Sequence, residues 1–346
     1  MKLVIFAGGI GTRLWPLSRE NSPKQFDKLF NGKSTLQLAV ERISSEFGLE
    51  NIFVQTSGKY AEMVREQLPD LPKENVIVEP ARRDLAAAVC LAAITLQERG
   101  NKGAMSLLWA DHLMERPESF IAALKAGEKL IGQDGGRFIF LGERPRFANN
   151  NLGWIHTGKK MGAENELDYY SFQGWKYKPE MNECEAMFAS GEYSWNPGYF
   201  ITSIEFLIEQ YMNLAPGIYQ DVKEGNYEMA EALHFDTAII EKVDLNKAIV
   251  IKTDMGWSDP GTLYALKEAL EKSKEENVIE GNVAELGCSD CLLYNLEKEK
   301  IIAGVGLNGM VVVNTKDALV VVPKDEVVNI TKLVKKMKEE GQTKYL

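Results

Sequence analysis

Residues 3–141 alternate short apolar runs with longer segments of helical periodicity, and this alternation constrains the fold more than any other feature of the sequence. The apolar runs have the length of buried β-strands. Strands that alternate with helices form a mainly parallel, doubly wound α/β sheet, and ligands bind beyond the carboxyl ends of its strands. The predicted strands are Leu3–Ala7, Ile52–Gln55, Val76–Glu79, Met105–Trp109 and Phe138–Leu141, and the predicted helices are Leu36–Glu46, Lys59–Gln67, Leu85–Glu98 and Glu118–Leu130. Asp84 stands where the N-cap of the third helix is expected.

The sequence changes character near residue 273, where a polar, linker-like stretch lies. Short β runs at turn spacing follow it, and Glu326–Glu340 then places an apolar stripe on one helical face. The runs are Val283–Leu286, Leu292–Leu296, Ile301–Val305, Met310–Asn314 and Ala318–Val322. We therefore predict a large domain at residues 1–272 and a small C-terminal β domain with a terminal helix at residues 278–346.

A glycine-rich loop follows the first predicted strand. Gly8, Gly9 and Gly11 let backbone amides approach a ligand with no Cβ in the way. Arg13 and Lys24 are close by in the sequence, and amides together with cations form a site for an oligophosphate. The loop therefore predicts binding of a nucleoside triphosphate, and a turn with a merely structural arginine is the alternative interpretation.

Two better-known phosphate loops do not fit these residues. The dinucleotide fingerprint requires a third glycine where this chain has Leu14, and no convincing acidic residue stands at the ribose position. Both facts count against a nicotinamide-dependent oxidoreductase. A P-loop requires a glycine five residues before Gly32-Lys33-Ser34, and that position is Asp27.

Composition and charge restrict the partners. A hydrophobic content of 45% and a charged content of 26% are typical of a globular chain, and the net charge of −10 argues against nucleic acid or an anionic membrane as partner. An anionic substrate stays compatible, because the loop region is locally cationic. Its cations are Arg13, Arg19, Lys24 and Lys28. No secretory signal and no apolar stretch of about 18 residues is present, which predicts a cytoplasmic protein.

The chain contains four cysteines, too few for a disulfide framework in a protein of 346 residues. Cys288 and Cys291 form a lone Cys-x-x-Cys pair. A zinc site needs four ligands, and no second pair accompanies this one in the sequence. We interpret the two as reduced thiols in a β-turn, with a metal or redox role as the alternative.

Longer motifs extend the pattern of the glycine-rich loop. Residues 8–18 read Gly-Gly-Ile-Gly-Thr-Arg-Leu-Trp-Pro-Leu-Ser, and residues 23–26 read Pro-Lys-Gln-Phe. The further motifs are Glu79-Pro80 with Arg83, Ala110-Asp111-His112, Gly153-Trp154-Ile155, Lys178-Pro179, Trp195-Asn196 with Gly198 and Phe200, Phe235-Asp236 with Glu241-Lys242, and Gly256-Trp257-Ser258-Asp259. In this order they resemble the sugar nucleotidyltransferases, specifically the mannose-1-phosphate guanylyltransferase branch, over residues 1 to about 270.

The resemblance implies a Rossmann-like nucleotidyltransferase sheet followed by a short β-helix-like domain. It also implies an enzyme that joins a sugar 1-phosphate, with mannose 1-phosphate the first candidate, to GTP and releases pyrophosphate. The implied partners are these small molecules, and the implied cofactor is Mg²⁺. The residues implied in nucleotide binding are Ala7, Gly8, Gly9, Gly11, Thr12, Arg13, Lys24, Glu79 and Arg83.

The remaining site residues also come from the resemblance. Asp111 and Asp259 would bind Mg²⁺. Lys178 would neutralise the phosphate of the sugar 1-phosphate, Asn196 would bind sugar hydroxyls, and Gly153 would present a backbone amide to the sugar. The implied sugar-phosphate set is Asp111, Gly153, Lys178 and Asn196, and the implied catalytic set is Arg13, Lys24, Asp111, Lys178 and Asp259.

Several positions depart from the family pattern, mostly on the sugar side. Tyr177 replaces the glutamate that often precedes the Lys-Pro pair, and Asp84 and Leu85 replace Asn-Thr. Trp154 and Pro197 are further changes. They leave open another manno-type or deoxy sugar 1-phosphate, another nucleoside triphosphate, or a non-catalytic regulatory subunit that binds a nucleotide sugar. The sequence does not define the oligomeric state, although the C-terminal β domain could provide the interface of a homodimer.

Overall fold

The computed structural model describes residues 1–346 apart from residues 10, 11, 20, 29, 31, 272 and 274 and the side chain of Thr12. Gly11, one of the predicted phosphate-binding glycines, lies outside the described residues. The chain divides into two compact units. The first unit comprises Met1–Gly8, Ala39–Ala110 and Met114–Trp257, and the second comprises Gly9–Leu38, Asp111–Leu113 and Ser258–Leu346. The predicted domain boundary at residues 272–278 stays a prediction.

The first unit contains a ten-stranded sheet. Its strands are β1 (Lys2–Phe6), β2 (Ile52–Ser57), β3 (Val76–Glu79), β4 (Ala104–Trp109), β6 (Phe138–Glu143), β7 (Gly153–Glu164), β8 (Leu167–Tyr177), β9 (Tyr193–Asn196), β10 (Phe200–Ser203) and β11 (Ala248–Thr253), while β5 (Leu113–Met114) and β12 (Trp257–Ser258) are short strands outside it. The order across the sheet is β11-β8-β7-β9-β6-β10-β4-β1-β2-β3.

The strands β4, β1, β2 and β3 are parallel neighbours. Ile5 lies in register with Val54 on one side and Leu108 on the other, and Ile5 and Val54 are completely buried. Parallel strands covered on both faces read as continuous apolar runs, which explains why the sequence predicts them. The α/β fold class is confirmed. The antiparallel position of β10 between β4 and β6, and the antiparallel pairing of β7 with β8, are features that the sequence did not predict.

Helices cover this sheet. They are α1 (Thr35–Phe47), α2 (Ala61–Gln67), α3 (Asp84–Glu98), α4 (Pro117–Gln133), α5 (Met181–Ser190), α6 (Ile204–Leu214), α7 (Pro216–Lys223) and α8 (Phe235–Ala238). Helix α3 is apolar on nearly all sides and lies in the main core. The prediction of Asp84 as its N-cap is wrong. Asp84 is itself the first residue of α3, with a φ of 60°, and the N-cap position before it is occupied by Arg83.

The second unit contains the C-terminal strands, which form two parallel ladders, as in a short β-helix. The strands β13 (Val278–Glu280), β15 (Leu292–Asn295) and β17 (Met310–Asn314) form one ladder, and β14 (Val283–Leu286) and β16 (Ile302–Val305) form the other. The antiparallel strand β18 (Leu319–Pro323) closes the first ladder. The helices α9 (Leu263–Leu270) and α10 (Ile330–Glu339) also belong to this unit. The α-helix begins later than Glu326, because Lys324–Asn329 is a 3₁₀ helix.

The core of the second unit joins the segment after the glycine-rich loop to the C-terminal strands. Leu14, Trp15 and Leu17 are buried in one apolar cluster with strand residues such as Leu292 and Val311. This shared core explains why residues from the beginning and the end of the chain form one compact unit. Among the described residues, no helix has both the length and the apolar character needed to cross a membrane.

Candidate active site

A lysine between two carboxylates is the central feature of the second unit. The ammonium Nζ of Lys24 lies 2.7 Å from Oδ2 of Asp111 and 3.5 Å from Oδ1 of Asp259. Lys24 is 8% exposed, whereas the side chains of Asp111 and Asp259 are 30% and 29% exposed. The cluster is therefore a partly covered site whose acidic side is open to solvent.

The charges of the cluster stabilise one another. Burial alone would lower the pKa of Lys24, but the charges of Asp111 and then Asp259 outweigh burial, and the pKa of Lys24 is raised. Burial would likewise raise the pKa of Asp111. The charge of Lys24, followed by that of His112, instead holds the pKa of Asp111 well below its usual range. Lys24 and Asp111 are thus ionised at neutral pH.

Arg13 borders the same cluster. A Cβ at Gly261 would lie 3.2 Å from Oδ1 of Asp259 and 3.6 Å from Cζ of Arg13, so one glycine separates the guanidinium from the carboxylate. Arg13 is exposed, and its positive charge acts to lower the pKa of Lys24. Arg13 and Lys24, which are close in the sequence, therefore form one cluster with Asp111 and Asp259, which come from distant parts of the chain.

The metal-binding capacity of the cluster depends on its two carboxylates. Oδ1 of Asp259 is buried and accepts no hydrogen bond from any residue that the structure describes. Within the described chain, no group of three or more His, Cys, Asp or Glu side chains could enclose a metal ion. Mg²⁺ commonly takes one or two protein carboxylates and completes its shell with phosphate and water oxygens. The pair Asp111 and Asp259 fits that requirement.

The backbone groups at the start of the loop differ in their hydrogen bonds. Gly9 is exposed, and its carbonyl accepts a hydrogen bond of 2.9 Å from Nε2 of the buried Gln25. The amide of Ala7 is already hydrogen-bonded to the carbonyl of Gln55, at 2.8 Å. Gly8 is likewise exposed, and both glycines belong to the loop that the sequence assigns to phosphate.

A second group of predicted residues lies in the first unit, around Glu79. A Cβ at Gly8 would lie 3.5 Å from Oε1 of Glu79. The carboxylate accepts hydrogen bonds from Nε2 of Gln55 at 3.4 Å and from the hydroxyl of Tyr227 at 3.3 Å. Burial raises the pKa of Glu79, and these hydrogen bonds act in the opposite direction. Arg83 donates from Nε to a backbone carbonyl, at 2.6 Å.

Of the predicted sugar-phosphate residues, Gly153, Lys178 and Asn196 belong to the first unit, whereas Asp111 belongs to the second. Gly153 is paired with Asn196 on β9 and with Tyr177 on β8. A Cβ at Gly153 would lie 3.4 Å from Cβ of Asn196, so the two strands pack closely here. Nζ of Lys178 lies 5.1 Å from the centre of the Tyr177 ring, and Lys178 has a φ of 46°. The strand pairing thus brings Gly153, Lys178 and Asn196 to one end of the β7–β8–β9 group.

Some residues that shape these groups were missed by the sequence analysis. Tyr227 holds Glu79, and Gln25 holds the carbonyl of Gly9. Glu143 is completely buried and accepts hydrogen bonds from the amides of Met255, at 2.9 Å, and Trp257, at 3.1 Å. Glu143 therefore fixes the backbone just before the Ser258–Asp259 segment. A glutamate at the end of the apolar run 138–143 is a signal that could have indicated this role.

Two family profiles cover most of the chain. The family described as Nucleotidyl transferase matches residues 2–276. The domain described as MannoseP isomerase/GMP-like beta-helix domain matches residues 281–337. The second match agrees with the parallel ladders of the C-terminal strands.

Individual relatives match over nearly the whole chain. A mannose-1-phosphate guanylyltransferase of Salmonella typhimurium is 31% identical over 99% of this chain and 73% of its own length. One from Klebsiella pneumoniae is 31% identical over 99% of this chain and 75% of its own length. A crystal structure from Thermus thermophilus, described as a mannose-1-phosphate geranyltransferase, is similar with a TM-score of 0.86 and 27% identity, over 97% of this chain and 99% of that chain.

Proposed function

Because the chain belongs to the nucleotidyl transferase family, and within it to the mannose-1-phosphate guanylyltransferases, we propose that it transfers a guanylyl group from GTP to mannose 1-phosphate. A phosphate oxygen of the sugar 1-phosphate forms a bond to the α-phosphorus of GTP. The bond from that phosphorus to the bridging oxygen of the β-phosphate breaks, and pyrophosphate leaves. The observation that carries this proposal is the position of Lys24 between Asp111 and Asp259, with Arg13 beside Asp259.

This reaction needs charge neutralisation and positioning more than it needs a base. The attacking phosphate is already ionised, and the barrier comes from bringing two anions together in line. Lys24 and Arg13 are the cations of the cluster, and we assign them to the triphosphate oxygens. Gly8 and Gly9 are exposed, and we assign their backbone amides to assist the two cations. Lys24 is ionised and held in place before the substrate arrives, so little reorganisation is required of it.

The charge balance of the cluster argues for a divalent cation that accompanies the nucleotide. Two cationic and two anionic side chains compensate each other, so a triphosphate would meet no excess of positive charge from the protein alone. Asp111 and Asp259 would hold Mg²⁺ through their carboxylate oxygens. When bound, the ion neutralises charge that develops on the phosphates.

Lys178 and Asn196 of the first unit are assigned to the sugar phosphate. Lys178 forms no ion pair with any residue in the described part of the chain, and its ammonium is therefore available to a phosphate. Oδ1 of Asn196 accepts a hydrogen bond of 2.9 Å from the amide of Gly198. Its Nδ2 group is then the donor that we assign to a sugar hydroxyl. Tyr177 is 68% exposed next to Lys178, and we expect its side chain to influence which sugar the protein accepts.

The experiment is a matrix of the four common nucleoside triphosphates against several sugar 1-phosphates with Mg²⁺, in which pyrophosphate release is measured. We expect the highest kcat/KM for GTP with mannose 1-phosphate. Asp259→Asn should lower kcat/KM by about 100-fold or more, because it removes one of the two negative charges that we assign to Mg²⁺ binding. The matched control is Asp254→Asn, because Asp254 is an exposed carboxylate paired with Arg116.

The alternatives give different results in the same matrix. Highest activity with another manno-type or deoxy sugar, or with another nucleotide, would revise the substrate and keep the chemistry. Binding of a GDP-sugar without pyrophosphate release from any combination would favour the regulatory subunit and contradict the proposed transfer.

A further inference from the structure

The guanidinium of Arg19 is fully engaged within the second unit. Its Nε donates to the carbonyl of Pro16 at 3.3 Å. Its Nη1 donates to Oδ2 of Asp317 at 3.0 Å and to the carbonyl of Tyr345 at 2.9 Å. Its Nη2 donates to Oδ1 of Asp317 and to Oγ1 of Thr315 at 3.3 Å. Because an arginine has five N–H donors, these contacts leave none for a phosphate.

The same C-terminal carbonyl holds a second residue of the loop segment. Nε1 of Trp15 donates to the carbonyl of Tyr345 at 2.7 Å, so this carbonyl accepts from both Trp15 and Arg19. Trp15 is 6% exposed and lies in the apolar cluster that contains Val313 and Val320 of the β strands. The Trp15–Arg19 segment is thus held by polar and apolar contacts to the C-terminal residues.

The backbone of Arg19 transmits this constraint toward Lys24. The amide of Arg19 donates to the carbonyl of Ser22 at 2.8 Å, and the amide of Ser22 donates to the carbonyl of Arg19 at 3.1 Å. Pro23, whose φ is fixed by its ring, is the one residue between Ser22 and Lys24. Fixing Arg19 therefore fixes the starting point of the short segment that presents Lys24.

We propose that Arg19 and Asp317 are positioning residues through which the C-terminal β domain sets the geometry of the triphosphate-binding loop. This inference rests on the proposed function for its catalytic consequence, although its structural consequence can be measured without substrates. Arg19 then contributes through its bidentate pair with Asp317 and not by contact with the nucleotide.

The test compares Asp317→Asn and Arg19→Lys with the wild-type protein. Asn removes the charge of Asp317, and Lys keeps the charge of Arg19 but loses the planar fork that the bidentate contact requires. Asp134→Asn is the matched control, since it removes a carboxylate that accepts from Nε and Nη2 of Arg137 inside the first unit. The measurements are amide hydrogen exchange of peptides covering residues 8–24 in the ligand-free protein, and KM and kcat for GTP.

In both variants, amide hydrogens in peptides covering residues 8–24 should exchange about fivefold faster than in wild type, and other peptides should be unchanged. The control variant should exchange at the wild-type rate in these peptides. KM for GTP should rise about tenfold, with kcat changed much less. Wild-type exchange and KM in both variants would overturn the inference, as would faster exchange spread evenly over the chain. If Asp317→Asn fails to fold, Arg19→Lys decides the question alone. If the two variants exchange faster at residues 8–24 but the wild-type protein releases no pyrophosphate, the proposed function is refuted and the structural inference stands.

Discussion

The hydroxyl of Tyr227 donates a hydrogen bond of 3.3 Å to Oε2 of Glu79. Together with the hydrogen bond from Gln55, it holds the carboxylate next to Gly8, at the end of the first strand. A carboxylate that is fixed but only partly buried can accept a hydrogen bond from a ligand hydroxyl. The nucleotide contributes such hydroxyls through its ribose.

Glu79→Ala should lower kcat/KM for GTP by about tenfold and have a smaller effect on 2′-deoxy-GTP. When the nucleotide lacks the hydroxyl that Glu79 pairs with, the removal of Glu79 lowers kcat/KM by a smaller factor. Steady-state kinetics with both nucleotides checks this, and Tyr227→Phe, which keeps the carboxylate, should have an intermediate effect. Equal losses for GTP and 2′-deoxy-GTP would show that Glu79 does not bind the 2′ hydroxyl.

Lys24→Met should lower kcat/KM by about 10²–10³-fold, because it removes a charge that is already positioned for the phosphates. It also leaves Asp111 and Asp259 as neighbouring like charges without their cation. Lys24→Arg is the charge-preserving comparison and should retain more activity. Lys24→Met with near-wild-type kinetics would contradict the assignment of Lys24 to the triphosphate.

The ion pair between Lys24 and Asp111 also predicts how the stability of the fold depends on pH. The pKa of Asp111 is lowered in the folded protein, so its contribution to the free energy of unfolding is fully present above its ordinary pKa of 3.8 and is lost progressively as pH falls from 3.8 toward the lower folded-state pKa. The difference in melting temperature between wild type and Lys24→Met should therefore narrow from pH 7 to pH 3.5. Calorimetry at both pH values measures it, and a constant difference would mean that the ion pair does not stabilise the fold.

Asp27 should show the opposite dependence on pH. Burial raises its pKa to about 6, despite a hydrogen bond from Ser22 and the charge of Arg19. The folded state then favours the neutral acid, and the stability gained below pH 3.8 is lost as pH rises through about 6. Asp27→Asn, which has no charge, should raise the free energy of unfolding at pH 8 by about 1–2 kcal/mol and change little at pH 4. Urea unfolding at the two pH values tests this, and equal effects would refute it.

The sequence predicted the parallel half of the sheet because burial on both faces leaves a strong signal. Leu3, Val4 and Ile5 are completely buried and form one apolar run. The strand Gly153–Glu164 was missed, since its pairing with β8 shifts register at several points and its outer half is polar and exposed. Such a strand has no regular period. It is stabilised by its neighbours, which a local pattern does not reveal.

The site followed the same division between local and tertiary information. The glycine-rich motif indicated Arg13 and Lys24, because these residues are near the loop in the sequence. Arg19 is equally near, yet its guanidinium is used by Asp317 and by the carbonyl of Tyr345. Only the fold of the C-terminal β domain separates these cases. The meeting of Asp111 with Asp259 likewise depends on tertiary structure, and without the family motifs their spacing would have indicated nothing.

A buried ion network in the second unit gives a last prediction. Asp290 accepts hydrogen bonds from the ammonium groups of Lys267 and Lys324 and, at 3.1 Å, from the hydroxyl of Tyr264. Burial would raise the pKa of Asp290, but these bonds hold it at about 2. Lys267 is 1% exposed, and among the residues that the structure describes it also pairs with Glu271.

Asp290→Asn should lower the free energy of unfolding by about 2–4 kcal/mol at pH 7, because it leaves the charge of Lys267 in a buried position with only one carboxylate. The difference in the free energy of unfolding between wild type and Asp290→Asn should shrink as pH falls from 3.8 through about 2, because wild-type Asp290 then takes up a proton and loses its charge. Asp325→Asn is the control, since Asp325 is exposed and next to Lys324 in the sequence. Thermal unfolding at several pH values is the measurement. An unchanged midpoint in Asp290→Asn would show that Glu271 alone is enough to neutralise Lys267.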